Sequence, residues 1–85
     1  MTTITPDTFL TYLQTNPTST VRVIIRTSEN PKLHTEQAEE LGLTVTGTTS
    51  LIKAIFAYGQ ASAVLTLAEQ PWVTSIEPDQ VVKAV

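Results

Sequence analysis

Apolar residues recur along the chain with two different periods, and Pro, Gly and Asn separate the segments that carry them. In the first segment apolar side chains fall at helical spacing, from a candidate N-cap at Thr5 with Pro6 in the first turn to a stop at Asn16-Pro17. These apolar residues are Phe9, Leu10, Tyr12 and Leu13. The pattern predicts a short N-terminal helix, which must dock on another element to be stable.

After residue 19 the chain alternates between strand-like and helix-like segments. Runs rich in β-branched residues predict strands over 20–27, 43–50, 51–58 and 72–77. A 3.6-residue period predicts helices over 32–41 and 60–70, with buried stripes of Leu33, Gln37, Ala38 and Leu41 in one and Ala61, Val64, Leu65 and Ala68 in the other. Gly42 is placed to end the first of these helices as a left-handed cap, and Gly47 predicts a bulge in the second strand.

The predicted elements after the first helix follow the order β-α-β-β-α-β. This is the order of the ferredoxin-like α+β fold, a four-stranded antiparallel sheet with two helices on one face, here with an extra N-terminal helix. In the first strand Ile24 faces away from Val23 and Ile25, and in the third strand Ile55 faces away from Phe56. A sheet with one face in solvent alternates more cleanly than this. We therefore expect a partner or the N-terminal helix to cover the open face.

Composition and charge limit the classes of partner. The chain has 85 residues, which suits a single domain, and it has no cysteine for a disulfide or a thiolate metal site. Five basic residues against eight acidic ones predict no nucleic-acid interface, because phosphate binding needs clustered Lys and Arg. No apolar run approaches the length of a membrane span, and no signal peptide is visible. We expect no membrane association and, if Met1 is the native start, a cytoplasmic protein.

No arrangement of residues in the sequence predicts catalysis. His34 is the single histidine, and its neighbours Glu36, Glu39 and Glu40 indicate a solvated helix face with an exposed histidine, not a metal site. The three glycines are too dispersed for a phosphate-binding loop. Trp72 is expected to pack where a helix meets the last strand. We therefore expect neither enzymatic activity nor a bound cofactor or metal.

The second half of the chain carries a connected set of motifs. A helix ends at Gly42, and a hairpin and a second helix follow. The strand after Pro71 has the spacing V-x-x-I-E-x-D, formed by Val73, Ile76, Glu77 and Asp79, and the chain continues as QVVKAV. Over 20–85 the sequence resembles the propeptide domain of subtilisin-type serine proteases and the stand-alone proteinase B inhibitors related to it. Residues 1–19 form an N-terminal extension outside the resemblance.

The resemblance implies an inhibitor, and in many members also a folding template, for a subtilisin-like serine protease. The open sheet face would dock on two surface helices of the enzyme through Ile24, Ile55 and Phe56. Glu77 and Asp79 would meet the N-termini of those two helices. The sequence agrees with that role, because residues two apart on an extended segment project to the same side and helix N-termini stabilise carboxylates.

The C-terminal tail carries the second half of the implied mechanism, in which it enters the active-site cleft like a product. Val85 would occupy the primary specificity pocket, and the next three subsites would hold Ala84, Lys83 and Val82. An extended segment without Gly can add to a cleft as a β-strand, and small or apolar side chains suit shallow apolar subsites, with Lys83 toward solvent. The chain departs from the family at Lys53-Ala54-Ile55, where many members carry Asn-Gly-Phe.

A second hypothesis is a non-inhibitory interaction or scaffold module of the same fold. In that case the N-terminal helix would cover the open face through Phe9, Tyr12 and Leu13. Glu77 and Asp79 would be ordinary surface acids, and the tail would be a fifth edge strand or a frayed end. The exposed apolar face could also pair with a second copy of the chain. The position of the N-terminal helix therefore separates the two main hypotheses.

Overall fold

The helices and strands follow the predicted order, with several shifted boundaries. The computed structural model describes residue 4 and residues 7–79. Its helices are α1 (Asp7–Thr15), α2 (Thr35–Glu40) and α3 (Ala61–Leu67), with a 3-10 turn at Pro31–Leu33. Its strands are β1 (Thr20–Thr27), β2 (Thr44–Thr49), β3 (Ala54–Gln60) and β4 (Val73–Pro78). The bounds of β1 agree with the prediction, because its β-branched run is flanked by clear turn residues.

The four strands form one antiparallel sheet in the order β2-β3-β1-β4. The prediction of a ferredoxin-like α+β fold is therefore confirmed. Helices α2 and α3 make the two crossover connections, which is how strands distant in sequence become neighbours. In the middle of the sheet Ile25 lies opposite Ile55 on β3 and Ile76 on β4. At the outer edge of β4, Ile4 forms a parallel bridge with Ile76.

One hydrophobic core lies between the sheet and the helices. The sheet contributes Val23, Ile25, Ile55 and Ile76, and the helices contribute Leu13, Ala38, Val64 and Leu67. The inward residues of β1 alternate with outward ones, as the period of a strand requires. Ile4 and Leu13 are buried in the same core as the sheet residues. Ile4 and α1 are therefore part of the described domain and not a separate unit.

The β2-β3 hairpin turns later than the sequence predicts. β3 begins at Ala54, and the predicted strand residues 51–53 lie in the turn instead. Leu51 is 91% exposed, and Lys53 adopts a φ of 51°, which a tight turn demands but a strand does not allow. A short apolar run has no period of its own, so pattern alone could not distinguish this turn from the start of a strand. The strand also continues past Gly59 to Gln60.

The predicted helix over 32–41 is divided at His34 into the 3-10 turn and α2. Leu33 is predicted to be buried but is 65% exposed, so that prediction is wrong. A 3-10 turn has three residues per turn, and this rotates Leu33 away from the stripe that buries Ala38. In α3, Ala61 and Val64 are buried, and Leu67, which is absent from the predicted stripe, is buried with them.

Gly42 and Gly47 lie where the sequence predicts them, the first at the end of a helix and the second at a bulge in β2. Gly42 follows α2 with a φ of 104°, and its N–H donates to the Glu39 carbonyl oxygen at 3.0 Å. In β2 the register shifts between Val45 and Gly47, which leaves Thr46 as the extra residue of a bulge. The bulge bends the edge strand, which disfavours pairing of this edge with another chain.

Gly59 is the glycine for which we expect a costly substitution. A Cβ atom there would lie 2.6 Å from Leu43 Cδ2 and 3.1 Å from the Gly42 carbonyl oxygen. Gly59→Ala should lower the free energy of unfolding by about 1–3 kcal/mol, because added volume in a packed site forces its neighbours to move. Gly47→Ala is the control, since a Cβ there meets nothing within 4 Å and should change stability by less than about 0.5 kcal/mol. Equal urea midpoints for the two variants would contradict the close approach.

Candidate functional site

The face of the sheet opposite the helices, which we call the open face, carries the candidate site. The strand register arranges its positions in three rows that run across β2, β3, β1 and β4. The rows are Thr49, Ala54, Arg26 and Ser75; then Gly47, Phe56, Ile24 and Glu77; then Thr44, Tyr58, Arg22 and Asp79. Because strand side chains alternate, these positions point away from the core.

An apolar pair lies at the centre of the open face. Ile24 and Phe56 are opposite each other on β1 and β3, and both are half-buried. Ile55, the third residue predicted to contact a partner through this face, lies on the other side of the sheet, where it is fully buried opposite Ile25. Successive residues of a strand point to opposite faces, so Ile55 and Phe56 cannot both belong to the open face. The prediction for Ile55 is therefore wrong.

Two carboxylates lie along the β4 edge of the open face. Glu77 is opposite Ile24, and Asp79 donates its backbone N–H to the carbonyl oxygen of Arg22 at 2.9 Å. Both acidic residues are half-buried, and neither forms an ion pair with another described residue. The structure thus places both on the same side of the chain, as their spacing predicts. Their charges remain available to a partner.

Two arginines on β1 flank the apolar pair, and the sequence analysis assigned a role to neither. The guanidinium carbon of Arg22 lies 5.9 Å from the centroid of the Tyr58 ring, in a cation–π arrangement. Arg26 is half-buried, and its buried Nε has no hydrogen-bond partner among the described residues. In the sequence, Arg22, Ile24 and Arg26 alternate with the buried residues of β1, and this pattern indicates that both arginines lie on the open face. The open face therefore has cations along β1 and anions along β4.

The N-terminal helix does not cover the open face. Leu13 of α1 is buried in the core, Phe9 and Leu10 pack against that core, and α1 contacts α3. Tyr12 is exposed. Helix α1 therefore lies in the helical layer, on the opposite side of the sheet from Ile24. Helix α1 therefore does not occupy the position that the scaffold hypothesis requires, in which it would cover the open face.

Several predicted residues lie outside the part of the chain that the structure describes. Residues 82–85, to which the resemblance assigns the protease subsites, follow Asp79 beyond the described range. Thr5 and Pro6, which are predicted to begin α1, are also outside it. The described part of the chain ends at Asp79, at the end of the open face where Arg22 lies.

A polar cluster at the other end of the sheet joins two loops. The rings of His34 and Trp72 are stacked, with centroids 4.2 Å apart and planes 3° from parallel. His34 Nε2 lies 3.2 Å from Glu29 Oε1, and Nδ1 lies 3.1 Å from Gln37 Oε1. The histidine is predicted to be exposed, but only 13% of its side chain is, so that prediction is wrong.

This cluster connects the residue before β4 to the start of α2. Trp72 lies at the junction before β4, where the sequence places it, and its ring is buried under His34. Aromatic stacking of this kind adds to the stability gained from buried area. Within the described residues, no group of His, Asp and Glu side chains could hold a metal ion.

Neither a protein-family model nor a curated protein matches the chain. Among the described helices, none combines the length and the apolar character needed to cross a lipid bilayer. The function is therefore inferred from the open face and from the motifs that follow Gly42.

Proposed function

We propose that the chain inhibits a subtilisin-like serine protease and can also serve as a folding template for it. The observation that carries the proposal is the open face. It has an apolar centre and two carboxylates that form no ion pair with another described residue, and α1 does not cover it. In this proposal the chain performs no catalysis and holds no cofactor. It acts as a ligand of the enzyme, as the resemblance over 20–85 implies.

The open face suits a pair of helices on the enzyme surface. Ile24 and Phe56 supply apolar area at the centre. Because both are already half-buried, covering the rest of each contributes less than the roughly 1.5–3 kcal/mol that full burial of an exposed side chain of that size gives. At the β4 edge Glu77 and Asp79 can accept hydrogen bonds from the free N–H groups at helix N-termini. A carboxylate in that position is stabilised by about 0.3–1 kcal/mol, and more when it is partly buried. Apolar contact and directed hydrogen bonds thus come from the same surface.

The tail adds contacts in the active-site cleft. From Asp79 the chain continues into residues 80–85, which can pair with the walls of the cleft as an added β-strand. Val85 would fill the primary specificity pocket, Ala84 and Val82 would fill apolar subsites, and Lys83 would face solvent. Because a face and a tail bind together, the second contact becomes intramolecular once the first has formed.

An inhibition assay with a broad-specificity subtilisin tests the proposal. We expect tight and slowly reversed inhibition, with an inhibition constant below about 1 µM, in the affinity range of specific protease–inhibitor complexes. A trypsin-like protease is the control. It has the same catalytic triad on an unrelated β-barrel fold, so it should not be inhibited. Equal inhibition of both enzymes would point to binding at the catalytic residues alone.

Rapid digestion of the chain by subtilisin without inhibition would overturn the proposal. That outcome would favour the non-inhibitory interaction module, since a folded domain without a matching partner is only a substrate for the protease. Gel filtration of the same sample would then show whether the open face pairs with a second copy of the chain.

A further inference from the structure

The turn between β2 and β3 carries the most exposed large hydrophobic side chain of the described chain. The turn comprises residues 50–53, and all four are exposed. Leu51 is 91% exposed, and Ile52 beside it is 45% exposed. Neither residue belongs to the hydrophobic core. An endoprotease with an apolar specificity pocket therefore finds a side chain here that nothing in the described domain covers.

The backbone of this turn has few hydrogen bonds. Outside the strand ladders, residues 50–52 make one bond with described residues, in which the Leu51 N–H donates to Thr49 Oγ1 at 3.3 Å. The turn is fixed at its far end, where the Lys53 carbonyl oxygen accepts from the Thr27 N–H at 2.8 Å. The peptide bond after Leu51 can therefore become extended once the residues before it open.

Strand β2, which leads into the turn, can open at its end while the rest of the sheet stays paired. It is an edge strand that pairs only with β3, and its ladder is already interrupted by the bulge at Thr46. None of residues 46–49 belongs to the buried core. Local opening costs least where few buried contacts are broken. A protease can therefore bind the opened segment around Leu51 as an added strand.

Other exposed apolar residues have backbones that are held more firmly. Leu33 is 65% exposed, but its N–H donates to the Asn30 carbonyl oxygen at 3.0 Å within the 3-10 turn. Tyr12 is 45% exposed, but it lies in α1, and its carbonyl oxygen accepts from the Asn16 N–H at 2.9 Å. Tyr58 lies in β3, which is paired on both sides. Side-chain exposure and a weakly held backbone thus coincide at Leu51.

We propose that the peptide bond between Leu51 and Ile52 is a proteolytic processing site. The enzyme is an endoprotease whose primary pocket takes a large apolar side chain, and Leu51 fills that pocket. Hydrolysis breaks the bond between the Leu51 carbonyl carbon and the Ile52 nitrogen and consumes one water. The water gives a hydroxyl to the carbonyl carbon, which becomes a C-terminal carboxyl group, and a hydrogen to the nitrogen, which becomes a free amine. Exposed loop tips are where such cleavage concentrates.

The cleaved chain remains one assembled domain. Its two parts are residues 1–51, which contain β1 and β2, and residues 52–85, which contain β3 and β4. The strand order β2-β3-β1-β4 alternates between the parts, so each of the three strand pairings in the described sheet joins one part to the other. Helix α1 of one part also contacts α3 of the other. Neither part has two neighbouring strands of this sheet, so separation of the parts would dismantle it.

Limited digestion of the full chain with a catalytic amount of chymotrypsin tests the site. This protease has a hydrophobic primary pocket and the fold of the trypsin-like control, so the test is independent of the proposed inhibition of subtilisin. The masses of the first two products should correspond to residues 1–51 and 52–85. Residues 1–6 and 80–85 contain no Leu, Phe, Tyr or Trp that would compete as a cleavage site. A first cut at any other bond would overturn the proposal.

Leu51→Asp and Leu33→Asp form a matched pair of variants. Leu51→Asp should slow the loss of intact chain by at least about 10-fold, because a charged side chain does not suit an apolar pocket. Leu33→Asp replaces the other exposed leucine and should be digested within about twofold of the parent rate, because the opening that limits cleavage is unchanged. Both variants should unfold at the urea midpoint of the parent. Equal digestion rates for the two variants would contradict cleavage at Leu51.

Gel filtration and thermal unfolding test the assembly of the cleaved chain. The two parts should elute together at the volume of the parent. Their unfolding temperature should rise with protein concentration, whereas that of the intact parent should not, because association of two separate chains depends on their concentration. If the parts elute separately after a cut at Leu51, the cleavage site stands and the assembled product is wrong.

Discussion

Removal of residues 82–85 should weaken inhibition of subtilisin by at least about 100-fold, which corresponds to roughly 2.8 kcal/mol of binding free energy. An added strand contributes both main-chain hydrogen bonds and side chains in pockets, and all of these are lost together. The truncated chain should unfold at the same urea concentration as the parent, since the core of the described domain is formed by residues between Ile4 and Ile76. Inhibition constants and urea midpoints of both proteins check the prediction.

Lys83→Ala is the control for this truncation. A side chain directed to solvent contributes little, so this variant should inhibit within about threefold of the parent. A truncated chain that inhibits as well as the parent would exclude the tail mechanism. The open face alone would then account for the inhibition.

Ile25→Ala should lower the free energy of unfolding by about 2–5 kcal/mol, the usual cost of removing a fully buried aliphatic side chain. The site has no room to collapse, because Ile25 is 0% exposed and lies between Ile55 and Ile76 in the middle of the sheet. A chain of 85 residues has a total stability of roughly 4–13 kcal/mol, so the variant loses a large part of it. Urea denaturation followed by circular dichroism measures the effect.

Ile24→Ala is the neighbouring control on the opposite face of β1. Ile24 is only half-buried, so its loss should cost less than about 1 kcal/mol of stability. Inhibition of subtilisin should fall by about tenfold or more in this variant, because the centre of the docking face is removed. Equal destabilisation by the two substitutions would show that both faces of β1 are core, which would contradict an open face.

The order of the elements could be predicted from the amino-acid pattern alone. The β-branched run of β1 defined a strand with the observed bounds, and the alternation within it separated Val23 and Ile25 from Ile24. The glycines at 42 and 47 marked a helix end and a bulge, and at Gly42 the φ of 104° is a backbone geometry that favours a residue without a side chain. The spacing of Glu77 and Asp79 placed both on one face. Each of these features depends only on residues close together in the chain, so the period of the pattern or a single residue type is enough to predict it.

The tertiary structure alone decided which surface each pattern meets. The sequence shows that helix α1 is amphipathic, but only its contact with α3 shows that this helix does not cover the open face. Ile55 and Phe56 alternate in the sequence, but register against β1 was needed to assign Ile55 to the core. The stack of His34 on Trp72 and the unpaired Nε of Arg26 depend on segments far apart in the chain. The hydrophobic period of a segment shows which side chains have to be buried, whereas long-range packing determines which residues bury them.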